Sequence, residues 1–333
     1  MKRDLSTKAM TRCRDIFSDI CNVNLFADER FLEPEQLELI PSDTVYHNAK
    51  GQLREHRMDV RMRHIMSNTE IAIFCLENQS DVCRTMPVQD MGYLYSSYSE
   101  QIQKIKEQNL LRGISYYTKE IGDSQKLKPV ISLVLYYGTD DWDAPRSLVD
   151  LLDIPKEWRK RLEPLIADHS IRIVHLASQD EETRKRYQSD FRHIVDYLAY
   201  VRNKERQKLK KNMRDKNRKI AHPMEYLDMM YAFTNDSRYE KIAENLQENG
   251  KESEEIDMCI MLDMLEESGI EKGKIEGRRE EMSHGICVLV GTCHEFGVSI
   301  AETISRVAAN FKLPINEAEL EVKRYWEAGT VLK

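Results

Sequence analysis

Asp59 and Glu77 occupy the segments Arg57-Met-Asp59-Val60 and Leu76-Glu77-Asn78-Gln79, each at an end of a stretch that reads as a strand. Two carboxylates brought together from neighbouring strands make a seat for a hard divalent cation. Mg²⁺ takes oxygen ligands at about 2.1 Å, commonly one or two carboxylates with water and phosphate filling the octahedron. Such an ion polarises a scissile phosphate and lowers the pKa of a bound water, so the chemistry would be a cut phosphodiester. On this reading Asp59 and Glu77 are the metal ligands, and Asp19, on a preceding helix, assists directly or through water. Glu77 and Gln79 are two apart and project from the same side of a strand. The same residues can equally form a polar sheet edge, because an Asp and a Glu near strand ends are common in α/β proteins.

The elements that must position these groups can be read from periodicity. Met10, Cys13, Phe17, Ile20 and Cys21 recur at helical spacing and predict one helix ending near Asn24. Thr44 to His47, then Asn48-Ala-Lys-Gly51, predicts a hairpin. Its second arm would run on through Met58, Val60 and Met62 on one face, with Asp59, Arg61 and Arg63 on a polar face. Ile71 to Gln79 is a short apolar run of the kind a central buried strand has, and Val130 to Tyr137 and Ile171 to Leu176 are others. Met91, Leu94, Tyr95, Tyr98, Ile102 and Ile105 predict a helix between the first two strands, and Phe191 to Tyr200 predicts another. Helix, hairpin, central strand, helix, strand is an α/β order. After about Arg202 the apolar runs look helical only. Glycines at 269, 273 and 277 allow either a close helix approach or a flexible charged helix that they weaken. The last 50 residues read as three short helices with breaks at Gly297 and Leu313-Pro314.

Composition bounds the function classes. With 333 residues the chain has room for about two domains, and 41% hydrophobic with 32% charged residues excludes collagen-like and wholly disordered readings. Seven cysteines without a Cys-x-x-Cys pair argue against a disulfide framework and a zinc ribbon. No signal-type apolar core or long apolar run is found, so a soluble, cytoplasmic protein without membrane contact is expected. The net charge of -7 hides a basic segment: between Arg202 and Lys219, ten Lys/Arg against two acids give +8, leaving -15 elsewhere. Phosphates respond to local basic density because screening limits the reach of distant charges to about 10 Å. The segment reads either as a phosphate grip or as a solvated helix or linker.

Other clusters are less specific. His284, Cys287, Cys293 and His294 lack zinc-module spacing, and the two cysteines serve as well in a core. Tyr93, Tyr95, Tyr98, Tyr116 and Tyr117 offer a base-stacking face or, more simply, a helix packed on the sheet. No glycine-rich phosphate loop or Gly-x-Ser-x-Gly elbow is present, which removes nucleotide hydrolysis and serine-esterase chemistry. Gln89 could reach the acid pair from the helix after Pro87.

Taken in order, Ile16-Phe-Ser-Asp19-Ile-Cys-Asn22, Leu25-Phe26, Glu33-Pro-Glu-Gln-Leu37, Arg57-Met-Asp59-Val60, Leu76-Glu77-Asn78-Gln79-Ser80, Thr85-Met86-Pro87-Val88 and Val130 to Gly138 with Trp142 and Pro145-Arg-Ser-Leu148 resemble the bacterial recombination-promoting nuclease and putative transposase family (Rpn, YhgA-like) over residues 10–200. The tail resembles long members through Asp257 to Glu266 and Tyr325-Trp326. The resemblance implies a PD-(D/E)XK, restriction-endonuclease-like core, with a mixed central sheet flanked by helices and an all-α C-terminal region. It implies a Mg²⁺-dependent endodeoxyribonuclease, with Mn²⁺ as a substitute, that cuts double-stranded DNA with broad sequence preference and promotes recombination. Carried over, Asp59 is the motif aspartate, Glu77 the glutamate, and Gln79 stands at the lysine position. A glutamine there orients water or phosphate by hydrogen bonds but brings no charge. The expected division is a nuclease domain at 1–200, a basic linker at 201–222, a helical region at 223–283 and a small helical domain at 284–333. A homodimer would suit a double-strand cut. The rivals are a non-catalytic DNA-binding or regulatory protein on the same scaffold and an adaptor built on the C-terminal helices.

Overall fold

The computed structural model describes residues 2–26, 29–41, 43–47, 53–113, 121–122, 124–205, 207 and 219–328. The opening helical pattern is two helices, α1 (Lys2–Thr11) and α2 (Arg14–Leu25), broken at Arg12 and Cys13. They are followed by β1 (Leu37–Ile40), β2 (Asp43–His47), β3 (Leu53–Arg57), β4 (Val60–Met66), β5 (Thr69–Gln79), α3 (Met86–Leu111), β6 (Val130–Tyr136), α4 (Lys156–Leu162), β7 (Ile173–His175), α5 (Glu181–Lys185) and α6 (Phe191–Asn203). Among the described residues β2 and β3 pair with each other alone, as an antiparallel hairpin, whose turn lies outside them. The other strands form a mixed five-stranded sheet in the order β1-β4-β5-β6-β7, antiparallel from β1 to β5 and parallel from β5 to β7. A parallel pair cannot be joined by a tight turn, and α3 makes the crossover between β5 and β6.

Two expectations need correction here. The hairpin's second arm stops at Arg57, the chain bends at Asp59, and β4 begins at Val60 as a strand of the main sheet. Asp59 and Arg61, expected on a polar face of that arm, are buried, at 7% and 2% exposed. The Arg61 guanidinium donates to Glu100 at 3.0 Å and to the Pro41 carbonyl at 2.9 Å, so the buried charge is paired.

Side-chain alternation along β5 sorts its neighbours. Ile73 and Cys75 pack with Met58 and Val130 against Tyr93, Leu94 and Tyr98 of α3. On the opposite face Phe74 stands edge-on to Phe26, ring centroids 6.1 Å apart, and Asn78 reaches Thr11 of α1. The apolar run from Ile71 is therefore covered on both faces, as its lack of alternation requires. Tyr93 and Tyr98 pack the helix to the sheet as the simpler reading had it. Tyr95 is exposed, and Tyr116 and Tyr117 lie outside the described residues.

The chain divides into two compact units, 1–262 and 263–333. In the first, helices Pro223–Thr234 and Ser237–Glu248 follow the sheet, and α1 packs on the former. Not everything after Arg202 is helical: Lys219–Ile220 pairs with Ile256–Asp257 as a short antiparallel ladder. Helix Met258–Glu295 runs without interruption through the three regularly spaced glycines. In the second unit its end joins Ile300–Phe311 and Ile315–Ala328 around Ile286, Val290, Val307, Ala318 and Val322. Cys293 is buried and the His294 ring stands edge-on to Trp326. Among the described residues no helix is long and apolar enough to cross a membrane.

Candidate metal centre at the end of β5

The antiparallel register of β4 and β5 sets Val60 opposite Leu76, so one step further along the chain Asp59 comes level with Glu77. There the strand bends. Oδ2 of Asp59 accepts the backbone N–H of Asn78 at 2.8 Å, and Oδ1 lies 2.8 Å from Nζ of Lys8 on α1. Glu77 leaves β5 on the α3 face. Its Oε1 accepts from the Gln79 amide at 3.0 Å and from the Tyr93 hydroxyl at 3.4 Å. Oε2 is buried and has no hydrogen-bond partner among the described residues. Asn78, between them, donates to Thr11 at 3.3 Å and accepts from the Tyr137 hydroxyl at 2.8 Å, which fixes the backbone carrying both neighbours.

Burial and a neighbouring negative charge both disfavour the ionised form of a carboxyl. Burial, followed by the charge on Asp59, pushes the Glu77 carboxyl up to about 8. The Asp59 backbone N–H, the Gln79 amide and the Lys8 ammonium pull the other way and do not prevail. Burial also raises the Tyr93 phenol, and the Glu77 and Asp59 charges beside it add to the effect, so Tyr93 stays a proton donor to the acid. Lys8 is raised: its hydrogen bonds and charge contacts with Asp59 and Asp4 outweigh the opposing effect of burial, the largest single influence.

The donors present suit a hard cation in part. Glu77 Oε2 is an unpartnered buried carboxylate oxygen beside a second carboxylate, which is the type of ligand Mg²⁺ prefers. Among the described residues no group of three or more His, Cys, Asp or Glu side chains could share an ion. An ion held here would have two protein carboxylates and draw its remaining ligands from water or substrate.

Of the residues singled out in the sequence, Asp59, Glu77 and Gln79 come together. Asp19 is held by other partners. Its Oδ1 pairs with Arg30 at 2.6 Å, and its Oδ2 accepts from the Gln188 and Ser189 N–H groups at 2.8 Å and the Ser189 hydroxyl at 2.7 Å. That carboxylate fastens α2 to the turn that starts α6. Gln89 donates to Thr85 at 3.1 Å, at the start of its own helix. Lys8 and Tyr93 also stand at the site, and no motif in the sequence marks them. Lys8 leaves only a faint local trace, an i,i+4 pair with Asp4, and nothing near it announces Asp59. Tyr93 was read within the tyrosine cluster, where helical spacing could have indicated a side chain facing β5.

Residues 30–222 match the family model described as "Putative transposase, YhgA-like". No curated protein matches the chain, and no solved structure matches it. Asp59, Glu77 and Gln79 fall within the matched residues, whereas Lys8 and Asp19 precede them.

Proposed function

The chain belongs to the YhgA-like putative transposase family, and from that premise we propose that it is a Mg²⁺- or Mn²⁺-dependent endonuclease that hydrolyses double-stranded DNA with broad sequence preference. The observation that carries the reading is the unpartnered, buried Oε2 of Glu77 beside the carboxylate of Asp59. The succession of α2, the antiparallel strands β1, β4 and β5, the crossover α3 and the parallel strand β6 agrees with a PD-(D/E)XK core, which is the fold the reading requires.

In this reading Asp59 and Glu77 hold the ion, and a divalent cation bound there supplies the charge that polarises a phosphodiester and acidifies a water. The chain's own groups set the stage for it. Gln79 and Tyr93 keep Oε1 of Glu77 in place by hydrogen bonds, leaving Oε2 for a ligand. The proton that burial keeps on Glu77 near neutral pH must leave before that oxygen can serve. In the cut a water oxygen would bond to phosphorus as the bond to the leaving sugar oxygen breaks; the water proton would pass to solvent and the leaving oxygen would take a proton from solvent. The basic segment Arg202–Lys219, mostly outside the described residues, would grip phosphates without reading bases. Its flanks are tied to the body: Arg202 donates to the Thr139 carbonyl and pairs with Asp141 at 2.6 Å, and the backbone N–H of His222 donates to Asp190 at 2.7 Å. Two copies related by a two-fold axis would cut both strands, and such breaks would promote recombination.

The test is plasmid nicking with Mg²⁺ or Mn²⁺ by the full chain and by Asp59→Ala and Glu77→Ala. The wild type should nick and both variants, folded by circular dichroism, should not. Asp59 and Glu77 are 7% and 6% exposed, and this near-closure favours, as the second reading, a DNA-binding or regulatory protein on the same scaffold. Retained DNA binding with no nicking by any of the three proteins decides for it, whereas equal nicking by all three removes Asp59 and Glu77 from the cutting site.

A further inference from the structure

Position 79 of this site holds an uncharged amide, and yet a cation is there. Nζ of Lys8 lies 2.8 Å from Oδ1 of Asp59, with side-chain exposures of 21% and 7%. It arrives from α1, an element that neither β4 nor β5 adjoins in sequence. We propose that Lys8 is the resident cation of the carboxylate pair and carries, on α1, the positive charge that Gln79 does not bring. The inference rests on the nuclease reading for its use and on the geometry for its existence.

Several contacts make this an assembled arrangement rather than a wandering surface ion pair. Asp4, one turn earlier on α1, holds the same ammonium at 3.0 Å, which limits where Nζ can point. α1 is itself seated at both ends. Thr11 accepts from Asn78, the residue between Glu77 and Gln79, at 3.3 Å, and Arg3 donates to the Ala232 carbonyl at 2.8 Å. The Asn78 side chain thus registers the helix against the strand end, while the Asn78 backbone N–H holds the other oxygen of Asp59. The ammonium also acts on Glu77, whose ionised form it favours.

An ammonium in this place has two consequences of opposite sign. It neutralises Asp59 and repels a divalent cation, so it weakens metal binding. On the nuclease reading it would also lie near the phosphate to be cut, where fixed positive charge would favour the transition state over the ground state. Removing the charge should therefore tighten the metal and slow the reaction. Loss of fold or of site geometry would weaken both together.

The experiment compares the full-length wild type with Lys8→Met and Lys8→Arg. Mn²⁺ affinity is read by electron paramagnetic resonance without DNA, and nicking at saturating Mn²⁺ and plasmid is read separately. For Lys8→Met the expected results are Mn²⁺ binding tighter by about tenfold and a maximal rate lower by on the order of 10²-fold, with the plasmid concentration for half-maximal rate little changed. Lys8→Arg should bind Mn²⁺ like the wild type and recover part of the rate. Weaker Mn²⁺ binding by Lys8→Met, nicking by Lys8→Met as fast as by an active wild type, or no Mn²⁺ binding by the wild type and Lys8→Met overturns the assignment. A wild type that does not nick, paired with tighter Mn²⁺ binding by Lys8→Met, leaves Lys8 as the resident cation and overturns the nuclease reading instead.

Discussion

Nε2 of His222 lies 2.9 Å from Oδ1 of Asp15, joining the start of α2 to the residue just before helix Pro223–Thr234. The contact closes the chain on itself across the segment that carries the basic cluster. The hydrogen bond to Asp15, with Cys13 next, raises the imidazole to about 11. Asp15 is lowered because its hydrogen bond and charge contact with His222 overcome the opposing influence of burial.

This pair should make stability fall on the alkaline side. The folded chain keeps a proton on His222 that the unfolded chain releases near its ordinary value of 6.5. The contribution is therefore complete below that value and fades as pH climbs toward about 11. His222→Gln should lower the free energy of unfolding by about 1 kcal/mol at pH 6, after allowance for solvent screening of this half-exposed pair. Urea titrations at pH 6, 8 and 10 should show the gap between the two proteins closing. A gap that widens with pH would contradict the assignment.

Asp19 should matter for folding more than for cutting. One carboxylate accepting from Arg30, two backbone N–H groups and a hydroxyl leaves several donors stranded when it is truncated. Asp19→Ala should lose about 2–4 kcal/mol of stability, seen as a lower urea midpoint at unchanged slope. Well below its melting temperature it should retain the Mn²⁺ affinity of the wild type, which a metal-contacting acid would not.

The central strands were legible because a run such as Ile71 to Leu76 has no alternation, and a sheet covered on both faces needs none. The crossover helix and the last two helices were legible for the matching reason, a 3.6-residue period with clear breaks, whereas the first of the three expected short helices is the end of the long helix Met258–Glu295. The way Asp59 is held was not. Alternation runs unbroken from Met58 through Met62, and only the bend at Asp59 detaches β4 from the hairpin. The sequence places Asp59 and Arg61 on a polar face without showing that they are buried, because their partners, Lys8 and Glu100, are remote in the chain. A local pattern sees the charge and not the counter-charge. The division of the opening helix at Arg12 and Cys13 was hidden similarly, since its apolar face continues across the break.

Gly138 is required by the ring it covers. A methyl group placed there would collide with the hydroxyl end of Tyr136, and that ring is already confined between Trp142 and His175, at centroid distances of 5.1 and 4.9 Å. Gly138→Ala should therefore destabilise by about 1–3 kcal/mol through forced repacking. Because the methyl would meet carbons of the Tyr136 ring as well as its hydroxyl, adding Tyr136→Leu, which removes that end of the ring, should recover part of the loss in a double-mutant cycle. Strict additivity would mean that the clash is not the cause.

Glu77 gives the pH dependence of the acid pair itself. Its folded carboxyl is raised from an ordinary 4.5 to about 8, by burial first and the Asp59 charge second. Between those values the folded chain holds a proton that the unfolded chain has lost, so stability without metal falls as pH rises through the window. Glu77→Gln removes this titration and should gain stability relative to wild type, on the order of 1–3 kcal/mol at pH 9 and little at pH 4. Mn²⁺ should reverse the order, because a cation favours the ionised carboxyl that only the wild type can offer. Its binding should tighten between pH 6 and 8.5 with release of a proton to the buffer, measurable by calorimetry in buffers of different ionisation enthalpy. Metal binding that is independent of pH and unchanged in Glu77→Gln would remove Glu77 from the centre.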